Sequence, residues 1–185
     1  MDESITDEAR THVRNSFRWI DGEADIWSML TSGVSLQAIV AGLSSMAAID
    51  RPDLIVGIES RGFILGPAVA VQLGIGFVAV RKDGAVFPGP IARRQTEPDY
   101  RDNRRTLSIR RDHVSPGARL VLVDDWVETG SQAMAVSQIV EELGAEVVSL
   151  VTIIDETTAV ARRQLPPVRS LLRAADLPGD EPPTS

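Results

Sequence analysis

From Leu120 to Ile154 the chain spells out one strand–helix–strand unit, and this segment constrains the fold more than any other. Leu120-Val121-Leu122-Val123 is an aliphatic run that ends in two adjacent acids, Asp124 and Asp125. A polar loop, Glu128 to Gln132, leads into an amphipathic stretch, Ala133 to Leu143, and then a second aliphatic run, Glu146 to Ile154. Buried strands joined through a helix read as a parallel pair. The alternation recurs upstream. Leu54–Ile58 reads as a strand, Gly62–Leu73 as a helix and Gly76–Arg81 as a second strand. Leu36–Ile49 carries Leu36, Ile39, Val40, Leu43 and Met46 near helical spacing. Thr6–Ser16 reads as an amphipathic first helix, Phe17–Gly33 as partly irregular, Thr106–Ile109 as a short strand, Thr157–Gln164 as helical and Val168–Leu172 as a last strand. The fold expected is α/β: a doubly wound, mostly parallel sheet.

The 185 residues suit a single domain, 1–176, and the Pro-rich segment 177–185 reads as a disordered tail. A hydrophobic share of 43% with 24% charged residues is that of a globular protein in water. No apolar run is read as approaching the roughly 20 residues of a membrane span, and Met1-Asp2-Glu3-Ser4 lacks a signal-peptide core, so a cytoplasmic protein without membrane partners is expected. There is no cysteine, and His12 and His113 lie far apart, so no protein-held metal site is expected. A net charge of −7 argues against nucleic-acid binding. Arginines nevertheless crowd between Arg93 and Arg111, where they suit either a solvated loop or a screen that draws in a small polyanion. Lys82 is the sole lysine. Lys82 to Arg105, rich in Gly, Pro and charge, reads as a long loop or extended hairpin, too long for bare connection.

The end of the Leu120 strand carries the chemistry. Neighbouring strand residues face opposite sides, yet at a strand's C-terminal end Asp124 and Asp125 can both reach the crevice where open α/β sheets bind ligands. Glu128, Thr129, Gly130, Ser131 and Gln132 bring backbone N–H groups and two hydroxyls to a helix start, a natural anion site. Acids for sugar hydroxyls or a metal, beside a phosphate cradle, suggest a sugar phosphate. This run resembles the phosphoribosyl-pyrophosphate (PRPP) signature of the type I phosphoribosyltransferases: four hydrophobic residues, two acids and a short loop with Thr-Gly. The resemblance implies that Asp124 and Asp125 hold the ribose hydroxyls and that Glu128 to Gln132 wrap the 5′-phosphate.

Further segments narrow the resemblance to the adenine-type enzymes. Ile55-Val56-Gly57-Ile58-Glu59-Ser60-Arg61-Gly62 is similar to their first loop, which binds pyrophosphate through backbone amides and an arginine, here Ser60 and Arg61. Gly57 and Gly62 permit close backbone approach, and an arginine forks onto phosphate oxygens. Phe77-Val78-Ala79-Val80-Arg81-Lys82-Asp83-Gly84 is similar to the second strand and its Arg-Lys turn, placing Lys82 on PRPP. Phe17-Arg18-Trp19-Ile20 resembles a Phe-Arg-Asp-Ile segment in the hood over the base, with Trp19 in place of the acid; Phe17 and Arg18 are thereby base-binding candidates in a small hood spanning about residues 1–35. Asp99-Tyr100 resembles the Glu-Tyr of the mobile catalytic loop, which makes Tyr100 a catalytic candidate.

The departures fall in the phosphate loop. Trp126 stands where the adenine enzymes carry a Leu against the base; an indole gives a broader platform but fills space, and a core or dimer-interface tryptophan is the alternative. Glu128 replaces a small Ala. Hypoxanthine/guanine relatives place an Asp there for a purine proton, so Glu128 is either a general base or a charge that weakens PRPP binding. Ser131 and Gln132 replace Gly and Thr. The resemblance implies phosphoribosyl transfer from PRPP to a purine base, adenine first. Arg61, Lys82 and Mg²⁺ carried mainly by PRPP would stabilise the leaving pyrophosphate, and a homodimer is expected. Transfer to another heterocycle, or a non-catalytic PRPP or nucleotide sensor on the same fold, are the alternatives.

Overall fold

The computed structural model describes residues 3–84, 87–98 and 103–178. The expected parallel sheet is present. Five strands lie in the order β4 (Gly76–Val80), β3 (Leu54–Ile58), β7 (Arg119–Val127), β8 (Glu146–Asp155), β9 (Val168–Arg173), and every pairing is parallel. The chain leaves β3 in one direction to form β4 and returns to form β7 on its other side, so the strand order switches at β3/β7. Crevices open at such a switch, outside the strands' C-terminal ends.

Both sheet faces are covered, which explains why the strands read as nearly unbroken apolar runs. On one face α3 (Gly33–Ala47) and α4 (Gly62–Leu73) bury Ile39, Leu43, Leu65 and Val69 against Ile55, Val121 and Val123. On the other, α5 (Ser131–Glu142) buries Val136, Ile139 and Val140 against Val56, Leu120 and Leu122, and the antiparallel hairpin of β5 (Ile91–Gln95) and β6 (Thr106–Arg110) adds Ala92, Leu107 and Ile109. The long segment after Lys82 is thus a hairpin rather than a bare loop. The segment Gly33–Asp50 has the length and hydropathy of a membrane span, contrary to the sequence reading, but half of it is buried within this fold, as in the core helix of a globular protein.

Glycines set the close approaches. A Cβ on Gly57 would stand 2.3 Å from the Gly62 carbonyl oxygen, so β3 and the start of α4 meet backbone to backbone. A Cβ on Gly42 would stand 2.6 Å from the Ala9 methyl, which lets α1 (Glu3–Ser16) lie flat on α3 through Thr6, Ala9 and Val13.

The segment read as partly irregular holds a small hairpin, β1 (Trp19–Ile20) with β2 (Glu23–Ala24), followed by α2 (Ile26–Thr31). Asp21 and Gly22 both take positive φ, 53° and 77°. That is the two-residue Asp-Gly turn whose twist matches flanking strands, and Asp-Gly is its sequence signature. Asp25 caps α2 by accepting from the Ser28 amide at 3.0 Å. The helix expected over Thr157–Gln164 shrinks to α6 (Ala159–Arg162), because Thr157 is held back by Asp155. The fully buried Asp155 carboxylate accepts from the Thr157 amide (2.8 Å), the Thr157 hydroxyl (2.6 Å) and Arg173 (3.0 Å), and also pairs with Arg162. Without these partners the buried carboxylate would be left uncompensated, so this network fixes the exit from β8. Of the expected tail, Leu177 packs against the core and the Pro178 carbonyl accepts from the Trp19 indole at 2.9 Å; residues 179–185 lie outside the described residues.

Candidate active site

The C-terminal ends of β3 and β7 border a cleft of about 480 Å³. Asp124, Asp125, Trp126, the whole run Glu128 to Gln132 and Arg61 line it. β7 runs three residues beyond the expected Asp124 and carries both acids inside the strand, paired to β8 through Asp124↔Thr152 and Trp126↔Ile154. Strand alternation then buries Asp125 to 4% exposure while Asp124 and Trp126 remain half-buried on the opposite side.

The two acids have different partners. Arg61 Nε stands 2.9 Å from Asp125 Oδ2, an ion pair without the alignment of a full hydrogen bond. The same guanidinium lies over the Trp27 ring, 5.8 Å from its centroid. Arg61 is therefore held from two sides, with a third of its side chain open to solvent. Burial, and then the neighbouring Asp125, push the Asp124 carboxyl well above the usual carboxylate range, while the Lys82 ammonium acts in the opposite direction. A folded-state value raised above the unfolded one contributes stability that is present at acid pH and lost as pH rises through the raised value. The ligand-free protein is therefore expected to lose denaturation midpoint as pH climbs from the ordinary carboxylate range through that point, and Asp124→Asn should flatten this part of the curve. Urea titrations of both proteins across the range measure it, and identical slopes would show that Asp124 does not carry the raised value.

The loop between β7 and α5 is shaped by Gly130 and Thr129. Gly130 has φ +74°, and a Cβ there would strike the Leu165 side chain at 2.7 Å, so both conformation and space call for glycine. The Thr129 hydroxyl accepts from the Ser131 amide at 3.3 Å and lies 3.2 Å from the Ser131 hydroxyl, which shapes the turn. The first residues of α5, Ser131 to Ala133, line the cleft, and a helix's first amides lack intrahelical partners. The buried Gln132 Oε1 has no hydrogen-bond partner among the described residues.

Lys82 and Ser60 line an adjoining cavity of about 340 Å³ with Glu59, Arg81, Asp83 and Gly84. Glu59 organises its floor by accepting from the Lys82 amide at 3.1 Å and from Arg81 Nε at 3.4 Å. Of the hood candidates, Phe17 is fully buried behind the cleft wall, with its ring 5.2 Å from Trp19 and 6.5 Å from Trp126. Arg18 is exposed, and its guanidinium donates to the carbonyls of Asn15 and Phe17. The hood residues that do line the cleft are Trp19, Gly22, Glu23, Ala24 and Ile26. Glu156 also lines it, and no sequence signal singled it out. Tyr100 and Asp99 lie outside the described residues, as does Arg101. Five arginines of the hairpin region meet acids, and none of the five lines the cleft: Arg94 and Arg111 pair with Glu142, Arg104 with Glu97, Arg105 with Asp83 and Arg110 with Asp112.

Comparison with known proteins bears on this geometry. The model of the phosphoribosyl transferase domain matches residues 27–176. The chain belongs to the phosphoribosyltransferase family, on its adenine-type branch. An adenine phosphoribosyltransferase from Desulfitobacterium hafniense is 38% identical over 141 residues, 76% of this chain and 80% of that protein. The crystal structure of an adenine phosphoribosyltransferase from Rhodothermus marinus superposes with a TM-score of 0.78 at 30% identity, covering 89% of this chain and 98% of the other. A Saccharomyces cerevisiae adenine phosphoribosyltransferase, solved with an imino-altritol bisphosphate and adenine, has a TM-score of 0.76 at 26% identity over 89% of this chain and 98% of its own. In this phosphoribosyltransferase the acidic pair, the Arg61 loop and the Gly130 loop thus sit on the sheet of the adenine-type enzymes.

Proposed function

We propose that this phosphoribosyltransferase moves the 5-phosphoribosyl group of PRPP onto adenine and releases pyrophosphate. The observation that carries the reading is the convergence of Asp124, Asp125, Arg61 and the Gly130 loop on one cleft at the strand-order switch. The loop from Glu128 to Gln132 takes the 5′-phosphate on its amides and hydroxyls. Asp124 receives the ribose hydroxyls, while Asp125 aims Arg61. As a base nitrogen forms its bond to C1 and the bond to pyrophosphate breaks, positive charge develops on the ribose and negative charge on the leaving group. Such a reaction needs preorganised charge stabilisation more than a strong nucleophile. Arg61 and Lys82 supply it, and Ser60 contacts the leaving group beside them.

The donor set also fits Mg²⁺ carried mainly by substrate oxygens: Asp124 would hold it, and no group of three potential metal ligands stands among the described residues to form a closed cage. Bound there, the ion would neutralise charge on pyrophosphate. Exposed apolar residues on α4, Ile64 and Val71, support a homodimer. We place the protein in the cytoplasm, since the one described segment with span-like composition is the core helix.

Glu128 lines the cleft where a carboxylate can serve as base or burden. A panel of adenine, hypoxanthine and guanine with PRPP and Mg²⁺, scored for pyrophosphate release, tests the function in the wild type and in Glu128→Ala. Adenine is expected to be the preferred base of the wild type. A general base lost from Glu128 should lower turnover by about 10²-fold or more. Tighter PRPP binding and faster adenine turnover in Glu128→Ala would instead identify Glu128 as electrostatic crowding of the phosphate loop. Wild-type protein that releases pyrophosphate with none of the bases would overturn the assignment.

A further inference from the structure

Two tryptophans and three glutamates line the cleft. The Trp19 and Trp126 rings stand 6.4 Å apart at 70°, with Phe17 closing the corner behind both. Neither indole is loose: Trp19 Nε1 donates to the Pro178 carbonyl at 2.9 Å, and Trp126 Nε1 donates to Glu156 Oε2 at 2.8 Å. Glu156 is exposed but not adrift. Its amide donates to the Val127 carbonyl at 2.8 Å, and it directly follows the buried Asp155 that two arginines and Thr157 fix. Glu23, Glu128 and Glu156 all line this cleft, where Arg61 is the one cation among the lining residues.

A carboxylate has two oxygens and about four acceptor sites, so the Trp126 indole uses only part of Glu156's capacity. The remainder is available on a cleft lined by two indoles set edge to face, where the acids accept hydrogen bonds and repel negative charge. A ring bearing an exocyclic amine satisfies such an acceptor, whereas one bearing an oxo group there sets acceptor against acceptor and leaves the carboxylate unpaired. Sites built to hydrogen-bond a donor reject analogues lacking it far more strongly than apolar pockets reject a size change.

We propose that Glu156, held against the Trp126 indole, is a specificity-determining residue that selects amino-bearing purines over their oxo counterparts. This rests on the phosphoribosyltransferase reading above and adds the residue that sets its base preference. Glu156→Gln keeps the shape and removes the charge. It should lower kcat/KM for adenine by about 10-fold or more while narrowing the adenine-to-hypoxanthine ratio by a similar factor, the scale of one lost discriminating hydrogen bond. The KM for PRPP should move less than that for adenine, because Glu156 stands at the exit from β8 and not in the run from Glu128 to Gln132. Trp126→Phe, which keeps a ring but drops the indole N–H, should narrow the ratio in the same direction. Calorimetric binding of adenine and hypoxanthine reads the selectivity independently of turnover. Wild-type protein that prefers adenine in binding yet transfers nothing would sink the function and leave this inference standing. An unchanged ratio in active Glu156→Gln, by rate and by binding, would overturn the inference alone.

Discussion

Exchanging Asp124 and Asp125 together for asparagine is expected to abolish PRPP binding while the fold survives. Asparagine matches the shape of both acids, so the strand pairing of β7 with β3 and β8 has no steric reason to change. The charges matter for two separate reasons. Asp125, only 4% exposed, is the counter-charge that points Arg61, and an amide would leave that guanidinium without its ion pair. Asp124 is the half-buried acceptor on the opposite side of the strand, the group available to sugar hydroxyls and to a cation brought by substrate. Calorimetry with PRPP and Mg²⁺ measures the loss, and circular dichroism verifies the fold. Wild-type affinity in a folded double variant would remove the acidic pair from the site.

Arg61→Ala and Lys82→Ala are each expected to lower kcat/KM by about 10²-fold or more, the scale for removing one preorganised donor from developing charge. The two differ in setting. Arg61 is fixed between Asp125 and Trp27, whereas Lys82 is positioned through its backbone amide on Glu59 and lines the adjoining cavity with Ser60. Inhibition by pyrophosphate should weaken in both variants, and loss of Arg61 should also disturb Asp125. If both variants retain near-normal turnover and pyrophosphate inhibition, these cations serve structure alone.

The parallel sheet and its crossover helices were legible because two-sided burial leaves aliphatic runs that need no context. The acidic pair and Gly130 loop were legible because a strand end, a φ-positive glycine and a helix start lie within a few consecutive residues. The cleft's other wall was not. Glu156 becomes a lining residue only because β8 pairs with β7 one strand over, and Phe17 reads as a candidate although packing hides it behind Trp19. The helix expected at Thr157 is cut short by a buried acid whose partners, Arg162 and Arg173, are set by tertiary packing. The small hairpin is hidden for a different reason: Asp21-Gly22 is a strong local turn, but its strands are two residues each, too short to show alternation.

The bond from the Trp19 indole to the Pro178 carbonyl joins one wall of the base end to the segment that leaves β9. That segment is remote in sequence from every residue of the phosphate loop, yet it sets how firmly the hood's tryptophan is moored. Trimming the chain ahead of Pro178 would cut this mooring line without removing a residue that lines the cleft. With the base taken at the proposed site, base preference is expected to respond to a residue that does not line the cleft.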